Sequence, residues 1–428
     1  MRGLTAVAMA TLMLPGAAMA GEAGDALVNH LYAGTAADGL SDARDACYRL
    51  DSEACFATGM LQMVLAYEGL AQDLYRYGAT TPGTPAAAML LGVGASLEAA
   101  PANPNPEKLT YTALRTVFMD FLADVDQARI GFEAADLVPE YVIKIDPLKV
   151  RIDFDGDGAA GEAETLGALL GSVGEFTDIP APDGPPPGGK SKTKAPDTTI
   201  DTTIGFDGAD AIWFAGYMQV TAAPIDLLLA HDFSEFFDAY LHRVFPKSGL
   251  PMQDFSRGGT LFMDPESDTG IADIIAAIHT LDFPVTDKER LAGVLERLKA
   301  ITALSRKNWE LILAETDDDR ELVPSPSQTS LVPDTPVTQE TVDAWMATLD
   351  TVDQVLAGEL LVPHWRFKEG FDLKAYFETA TETDIVMLIA GQGALPYIKA
   401  GPIADAQSFA EANRVFGTDW LNYAFWFN

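Results

Sequence analysis

Apolar residues recur at intervals of three and four residues along most of this 428-residue chain, and this spacing constrains its fold more than any other feature. Such spacing places apolar side chains on one face of an α-helix. The pattern runs through residues 24–78, 107–132, 210–230, 232–244, 270–281, 286–316, 338–358 and 406–415. Strand-like alternation is confined to two short stretches, 141–152 and 198–206. The sequence therefore predicts a mainly α, multi-helix globular protein.

Two of the predicted helices start with capping residues. Thr286 and Glu289 have the spacing of a capping box, which satisfies backbone N–H groups at a helix start. Asp207 or Asp210 is suited to cap the helix that follows residue 206, because its carboxylate accepts from N–H groups of the first turn. The segment Asp210–Ala230 is strongly apolar but interrupted by polar residues. We expect it in a protein core rather than in a membrane.

The most specific motif is the twelve-residue segment from residue 153 to residue 164. Aspartates stand at its positions 1, 3 and 5, glycine at position 6 and glutamate at position 12. This pattern resembles the calcium-binding loop of the EF-hand family, and the resemblance covers 12 of 428 residues. It implies calcium as the cofactor, bound by the carboxylates of Asp153, Asp155, Asp157 and Glu164 and by the backbone carbonyl of Ala159. The alternative is a metal-free, acidic surface turn.

The surroundings of this segment depart from a paired EF-hand. Position 8, usually a bulky aliphatic residue that joins two loops, is Ala160. The preceding Leu148, Val150 and Ile152 alternate with polar residues, which is typical of a strand, whereas residues 163–170 read as a helix. We expect a single strand–loop–helix calcium site with a structural role. The strand could pair with residues 198–206 as a small β-ribbon beside the site.

The first 20 residues have the organisation of a signal peptide. Arg2 supplies a positive charge, Leu4–Leu14 is apolar, and Ala18-Met19-Ala20 has the pattern of a cleavage site. The apolar run is too short to span a bilayer. These features predict cleavage after residue 20, a periplasmic or secreted location and no membrane span afterwards. A retained anchor helix is the alternative.

The charge balance excludes two classes of partner. The chain has 28 basic and 63 acidic residues, a formal net charge of −35. Removal of residues 1–20 takes away Arg2 alone, so the remaining charge is 27 − 63 = −36. Such a chain repels nucleic acids and anionic membranes. It also repels other copies of itself, and bound cations would reduce that repulsion. The acidity could therefore be suited to a cation-rich exterior, or it could equally reflect the habitat of the host.

Cys47 and Cys55 are the only cysteines of the chain. An even pair in an exported protein favours one disulfide that closes a short loop. Asp51 and Ser52 between them could break a helix into a hairpin. Two buried thiols are the alternative, since the spacing is not that of a CxxC redox pair.

A proline-, glycine- and lysine-rich segment, residues 176–199, divides the chain into two helical regions. Its composition indicates a linker or a long loop. Residues 21–175 form an N-terminal helical region that contains the acidic loop, and residues 200–428 form a C-terminal helical region. The two regions could be separate domains or share one core.

Three further groups of residues are candidates for a pocket. His231 and His242 belong to a series with Glu235 and Asp238 that would share one helix face. Such residues can bind zinc or iron, although a solvated polar face is the simpler interpretation. The other two groups are an acidic run that contains Asp317 and Asp319, and a loop that contains His364 and Arg366. The run is an exposed turn or a second calcium site, and the loop is a packed segment or an anion-binding wall.

No common catalytic or phosphate-binding motif is present: the chain lacks GxSxG, HExxH, GxxxxGK[ST] and GxGxxG. The first hypothesis is therefore an exported calcium-binding protein that serves binding or scaffolding. The second is an exported, hydrolase-like enzyme with structural calcium, and the third is calcium sensing or buffering. Convergence of the pocket candidates on one concave site would favour the enzyme.

Overall fold

The helices begin and end where capping residues and turns interrupt the apolar pattern. The computed structural model describes residues 20–80, 103–135, 141–168, 201–252, 269–331, 336–417 and 420–427. Its first helices are α1 (Glu22–Ala33), α2 (Ala36–Cys47), α3 (Ser52–Arg76), α4 (Tyr111–Ala134) and α5 (Gly208–Leu229). They are followed by α6 (Ser234–Tyr240), α7 (Thr269–His279), α8 (Lys288–Ile312), α9 (Gln339–Leu356), α10 (Leu373–Thr379), α11 (Ile385–Ala390), α12 (Ala410–Val415) and α13 (Trp420–Phe427). The predicted mainly α fold is confirmed.

Local caps explain where the predicted boundaries shift. Residues 24–78 form three helices, because Gly34 ends α1 in the left-handed conformation and Asp51 caps α3. The cap predicted at residue 286 is wrong: Asp287 accepts from the Arg290 N–H at 2.9 Å and begins α8. At α5 the prediction is confirmed, since Asp207 is the cap. In residues 232–244 the α-helix stops at residue 240, and a 3₁₀ turn follows.

The small β-ribbon forms beside the acidic loop. Strand β1 (Ile143–Ile145) pairs antiparallel with β2 (Ile204–Phe206). The ribbon is therefore confirmed, but the strand lies earlier than the alternation at 148–152 indicated. Pro147–Lys149 is a 3₁₀ turn instead, since proline has no N–H for a ladder and the Asp146 carboxylate accepts from the Leu148 N–H at 3.2 Å.

Two further ribbons were not predicted from the sequence. Their strands are only two or three residues long, too short for an alternating pattern to be visible. They are β3 (Asp282–Pro284) with β5 (Glu382–Asp384), and β4 (Gly370–Phe371) with β6 (Ile398–Lys399), both antiparallel.

The largest core lies between α3, α4 and α5. Phe56 of α3 is fully buried. Its ring lies 5.7 Å from that of Phe132 on α4, 6.1 Å from Phe206 on β2 and 6.2 Å from Phe214 on α5. The regions before and after residues 176–199 therefore contribute side chains to one hydrophobic cluster.

The C-terminal helices form a second core around α8. Trp309 of α8 is fully buried, and its ring lies 4.9 Å from that of Phe427 on α13. Trp345 of α9 contacts the same phenylalanine at 6.0 Å. Since α8 also packs along α5, it connects the two cores.

Cys47 and Cys55 are joined in a disulfide that links the end of α2 to the first turn of α3.

Two helices, α3 and α5, are long and apolar enough to cross a membrane by length and composition. Half or more of the most apolar segment of each helix is buried inside the molecule, as in the core helices of globular proteins. Residues 1–19 of the predicted signal peptide, the predicted linker 176–199 and the end of the predicted helix 163–170 lie outside the described residues.

Candidate metal site

The acidic loop turns back on itself through two glycines in the left-handed conformation. Gly156 has φ +73° and Gly158 has φ +89°, values at which a Cβ would be strained. The turn directs two N–H groups at one carboxylate: Gly156 donates to Asp153 Oδ1 and Gly158 to Asp153 Oδ2, both at 2.9 Å. The glycine at position 6 thus has the role that its spacing predicted.

A short antiparallel pairing closes the two ends of the loop. The Ile152 N–H donates to the Glu164 carbonyl at 3.0 Å, and the Leu166 N–H donates to the Val150 carbonyl at 2.9 Å. The Glu164 carboxylate accepts from the N–H groups of Phe154 at 3.1 Å and Gly161 at 2.7 Å. These contacts hold position 12 of the loop against position 1.

The loop carboxylates of Asp153, Asp155 and Glu164 converge. Each offers an oxygen that lies within 4.8 Å of the others, a spacing that could hold a metal ion. Asp157 is turned towards its own backbone, where Oδ1 accepts from the Ala159 N–H at 2.9 Å. Within the described part of the chain, none of these carboxylates pairs with a lysine or arginine. The donor set is all oxygen and anionic, which suits a hard cation.

Helix α3 supplies two contacts that the sequence did not predict. Glu68 Oε2 accepts from the Asp153 N–H at 2.9 Å, and Gln72 Nε2 donates to the Asp153 carbonyl at 2.8 Å. Burial raises the pKa of Glu68, and the charges of Asp153 and Glu164 raise it further. These residues stand more than 80 positions before the loop, so no local pattern could connect them to it.

The small residue at position 8 has a structural explanation. Ala160 packs against the turn between α1 and α2, where its methyl group leaves no room for a Cβ on Gly34. The aliphatic side chain usual at this position would collide there. Position 8 therefore contacts the turn between α1 and α2, and among the described residues no second calcium-binding loop lies against it.

A second group of carboxylates assembles between the start of α5 and the end of α8. Oxygens of Asp207, Glu315 and Glu321 lie within 4.8 Å of one another, and this group could also hold a metal ion by geometry. Of the predicted acidic run, Asp319 instead pairs with Lys144 at 3.0 Å. Asp317 is exposed. The structure thus brings Glu315 and Glu321 to the cluster, whereas Asp317 and Asp319, which lie between them in the sequence, are outside it.

Protonation offers this α5–α8 cluster another way to relieve its repulsion. Burial, followed by the charge of Asp207, raises the pKa of Glu315 to about 9. Burial likewise raises the pKa of Glu321 to about 7. Buried Asp210, beside Asp207, also has a pKa well above its ordinary value. At neutral pH this cluster holds protons, so a bound cation is not needed to keep it together.

Two of the predicted pocket histidines have both ring nitrogens engaged within the fold. His364 Nδ1 accepts from the Arg366 N–H at 3.2 Å, so Nε2 carries the proton and donates to the Leu388 carbonyl at 3.0 Å. His231 donates from Nδ1 to the Leu227 carbonyl at 2.6 Å, and its Nε2 accepts from the Thr383 hydroxyl at 2.7 Å. Burial lowers the pKa of His231.

His242 is buried beside an ion pair between Asp273 and Arg243. It is 1% exposed, and its Nε2 lies 3.1 Å from Asp273 Oδ2, which also binds Arg243. Among the described residues, its Nδ1 has no hydrogen-bond partner. In the described residues, no hydrogen bond or ion pair joins His231, His242, His364, Asp317 and Asp319 to one another. The shared helix face predicted for His231 and His242 is wrong, because α6 ends at Tyr240 and both imidazoles are buried.

An open cleft of about 750 Å³ lies between α4, α5 and α8. At its floor, Arg297 binds Asp126 through two nitrogens at 2.9 and 2.7 Å. The same guanidinium donates to Gln219 at 2.9 Å and pairs with Asp226. Three separate helices supply these groups, so the sequence contained no spacing that could have indicated them.

Comparison with protein-family models, curated proteins and solved structures finds no match to this chain. Its function is therefore argued from its own geometry.

Proposed function

We propose that this is an exported calcium-binding protein in which a calcium ion at residues 153–164 stabilises the fold for a binding or scaffolding role. The observation that carries the proposal is the convergence of the Asp153, Asp155 and Glu164 oxygens within 4.8 Å. These carboxylates repel one another and have no cationic side chain as a partner in the described residues. A divalent cation would remove that repulsion and use their remaining lone pairs.

The chemistry of the loop favours calcium over other biological cations. Zinc prefers nitrogen and sulfur ligands in a tetrahedral arrangement, and this loop has neither. Magnesium requires a small, near-octahedral shell, whereas calcium accepts six to eight oxygens and a bidentate carboxylate. Glu164 would be that bidentate ligand, and rotation of Asp157 away from its backbone contact would add a further oxygen.

The surroundings of the loop support a stabilising role. The loop is tied to α3 through Gln72, and the Arg151 N–H donates to the Leu31 carbonyl of α1 at 3.0 Å. An ion at the loop would therefore hold α1 and α3 together. The three candidate histidines favour this role over the hydrolase-like alternative. His231 and His364 use both ring nitrogens within the fold, and His242 is 1% exposed, so a substrate could not reach it for proton transfer.

The test is thermal unfolding of the purified protein with calcium and with EGTA. We expect calcium to raise Tm by several degrees, because a ligand at 100 times its Kd adds about 2.7 kcal/mol of stability. Glu164→Gln should remove most of that gain. Glu162→Gln is the matched control, since Glu162 is exposed in the same loop and stands at a position that does not chelate.

Isothermal titration with calcium and with magnesium completes the experiment. Binding of calcium by the wild type and the Glu162→Gln variant, with loss in Glu164→Gln, supports the proposal. Equal melting curves with calcium and with EGTA would refute it.

A further inference from the structure

A tryptophan stands exposed at the tip of a short hairpin. Val362 and Phe371 exchange two backbone hydrogen bonds of 2.8 Å and close the hairpin. Between them, Trp365 is 73% exposed. A large aromatic side chain in this position loses apolar contact that burial would supply, so its exposure requires a reason.

The tryptophan is held rigidly in its exposed position. Its Nε1 donates to the Ile389 carbonyl at 2.9 Å, and neighbouring His364 donates to the Leu388 carbonyl at 3.0 Å. The Arg366 guanidinium lies 4.7 Å from the centre of the indole ring. The only polar atom of the indole is satisfied within the fold, so what it presents outward is apolar. Rigid tryptophan and arginine side chains of this kind are typical anchors of protein interfaces.

Helix α11 continues the apolar surface next to the tryptophan. None of its six residues is buried, although all of them are apolar. Ile389 is 65% exposed, and Ile385 and Val386 are also exposed. We call the following residues the Trp365 patch: Trp365, Arg366, Lys368, Ile385, Val386 and Ile389. Contiguous exposed apolar side chains with a polar rim mark an interaction site.

The charges at the patch indicate which partner fits. Arg366 and Lys368 are exposed and make no ion pair with any described residue. In a chain of net charge −35, most surfaces repel a second copy. The Trp365 patch differs from those surfaces because two of its residues are basic. Exposed Glu369 follows Lys368 in the chain, and exposed Glu382 stands three residues before Ile385, so both signs of charge occur together here.

We propose that the Trp365 patch is the self-association surface of this protein, through which two copies form a twofold-symmetric dimer. A twofold contact brings the same patch of each copy together, so both signs of charge meet their opposites. Trp365 and Ile389 of one copy pack against those of the other. Arg366 and Lys368 lie opposite acidic residues of the second copy.

A protein surface fits these observations better than a membrane. A second copy offers both signs of charge, whereas an anionic bilayer offers only one, which two cations attract weakly and which Glu369 and Glu382 would repel. Phospholipid vesicles nevertheless enter the test as a separate arm.

The experiment is sedimentation equilibrium of the purified protein over a wide concentration range. We expect reversible, concentration-dependent dimers. Trp365→Ala should weaken association at least about tenfold, as expected of an interface anchor. Arg366→Glu should weaken it as well while leaving the hydrogen bond from Trp365 to the Ile389 carbonyl intact, and it decides the outcome if Trp365→Ala does not fold. Tyr48→Ala is the matched control, because Tyr48 is an aromatic side chain with 77% exposure outside the patch.

The results distinguish a dimer, a monomer and a lipid-binding surface. Dimers that persist in Tyr48→Ala and dissociate in each patch variant that circular dichroism shows to be folded support the proposal. A monomer at every concentration overturns it, and so do dimers that the patch variants do not weaken. Cosedimentation of monomeric protein with phosphatidylglycerol vesicles, lost in Trp365→Ala, would overturn it in favour of a lipid surface. All measurements are made with calcium and with EGTA, so failure of the calcium site is distinguished from failure of the dimer.

Discussion

The carboxylates between α5 and α8 are the side chains through which pH acts most directly on this fold. Desolvation disfavours their charged forms, and their mutual repulsion adds to that effect. Retaining a proton removes both costs at once, and this explains why the pKa of Glu315 lies near 9. The sequence showed a dense acidic run here, but the repulsion depends on Asp207, which stands more than 100 positions earlier.

Glu315 should make the protein less stable as pH rises. The folded protein holds the proton up to about pH 9, whereas an unfolded glutamate releases it near 4.5. Stability from this group is therefore complete below 4.5 and is lost progressively as pH rises towards 9. The slope for one proton is about 1.4 kcal/mol per pH unit. Urea unfolding between pH 5 and pH 9 measures it, as the free energy of unfolding at each pH.

The variant Glu315→Gln should flatten this dependence, because glutamine resembles the protonated carboxyl and does not titrate. Glu310→Gln is the control, since Glu310 is exposed on α8 and should leave the slope unchanged. The slope that remains in Glu315→Gln comes from the other carboxyls of the cluster whose pKa is raised, Glu321 and Asp210. Identical slopes in all three proteins would show that Glu315 does not titrate in this way.

Among the elements, α3 and α4 pack with a close backbone approach. Gly131 of α4 lies against the backbone of α3, and a Cβ placed on it would be 2.7 Å from the Gly59 nitrogen. The two backbones can come this close only because both residues lack a side chain. Periodicity predicted both helices and their apolar faces. It could not predict that a pair of glycines sets their distance, because a glycine within a helical pattern is ordinarily only a weak point.

Gly131→Ala should therefore destabilise the protein, although alanine is the better helix former. The methyl group would push α3 and α4 apart, and overpacking of this kind costs about 1–3 kcal/mol. Gly69→Ala on α3 is the control, because nothing lies within 4 Å of a Cβ there. This change should stabilise by up to about 1 kcal/mol through helix propensity. Chemical denaturation distinguishes the two, and a stabilising Gly131→Ala would contradict the predicted close contact.

The molecule as a whole depends on contacts between its N-terminal and C-terminal helices. Arg297 of α8 binds Asp126 of α4 and Asp226 of α5 at the floor of the cleft. Asp226 is buried, so its charge needs a partner. The network makes α8 part of the same assembly as the N-terminal core.

Arg297→Met should cost about 1.5–3 kcal/mol, the range found for hydrogen bonds to charged groups. Asp126 would keep Arg129 as a cation and Asp226 would keep Arg290, so neither carboxylate is left unpaired. Arg306→Met is the matched control on the same helix. Arg306 pairs with Asp350 and Asp353 at the surface, where such pairs contribute about 0–1 kcal/mol. Free energies from urea unfolding compare the two variants. If both variants lost a similar free energy of unfolding, the cleft network would stabilise the fold no more than a surface ion pair does.

Features encoded in neighbouring residues could be predicted from the sequence, and features made by distant residues could not. The ligand spacing of residues 153–164 and the apolar pattern of residues 24–78 are local, because backbone turns and helix faces depend on residues a few positions apart. The partnership of Glu68 with Asp153, the Asp207–Glu315–Glu321 cluster and the Arg297 network arose only when the helices packed. Apolar burial, which drives that packing, is not directional, so the pattern of one helix does not specify which polar groups of another helix it will meet.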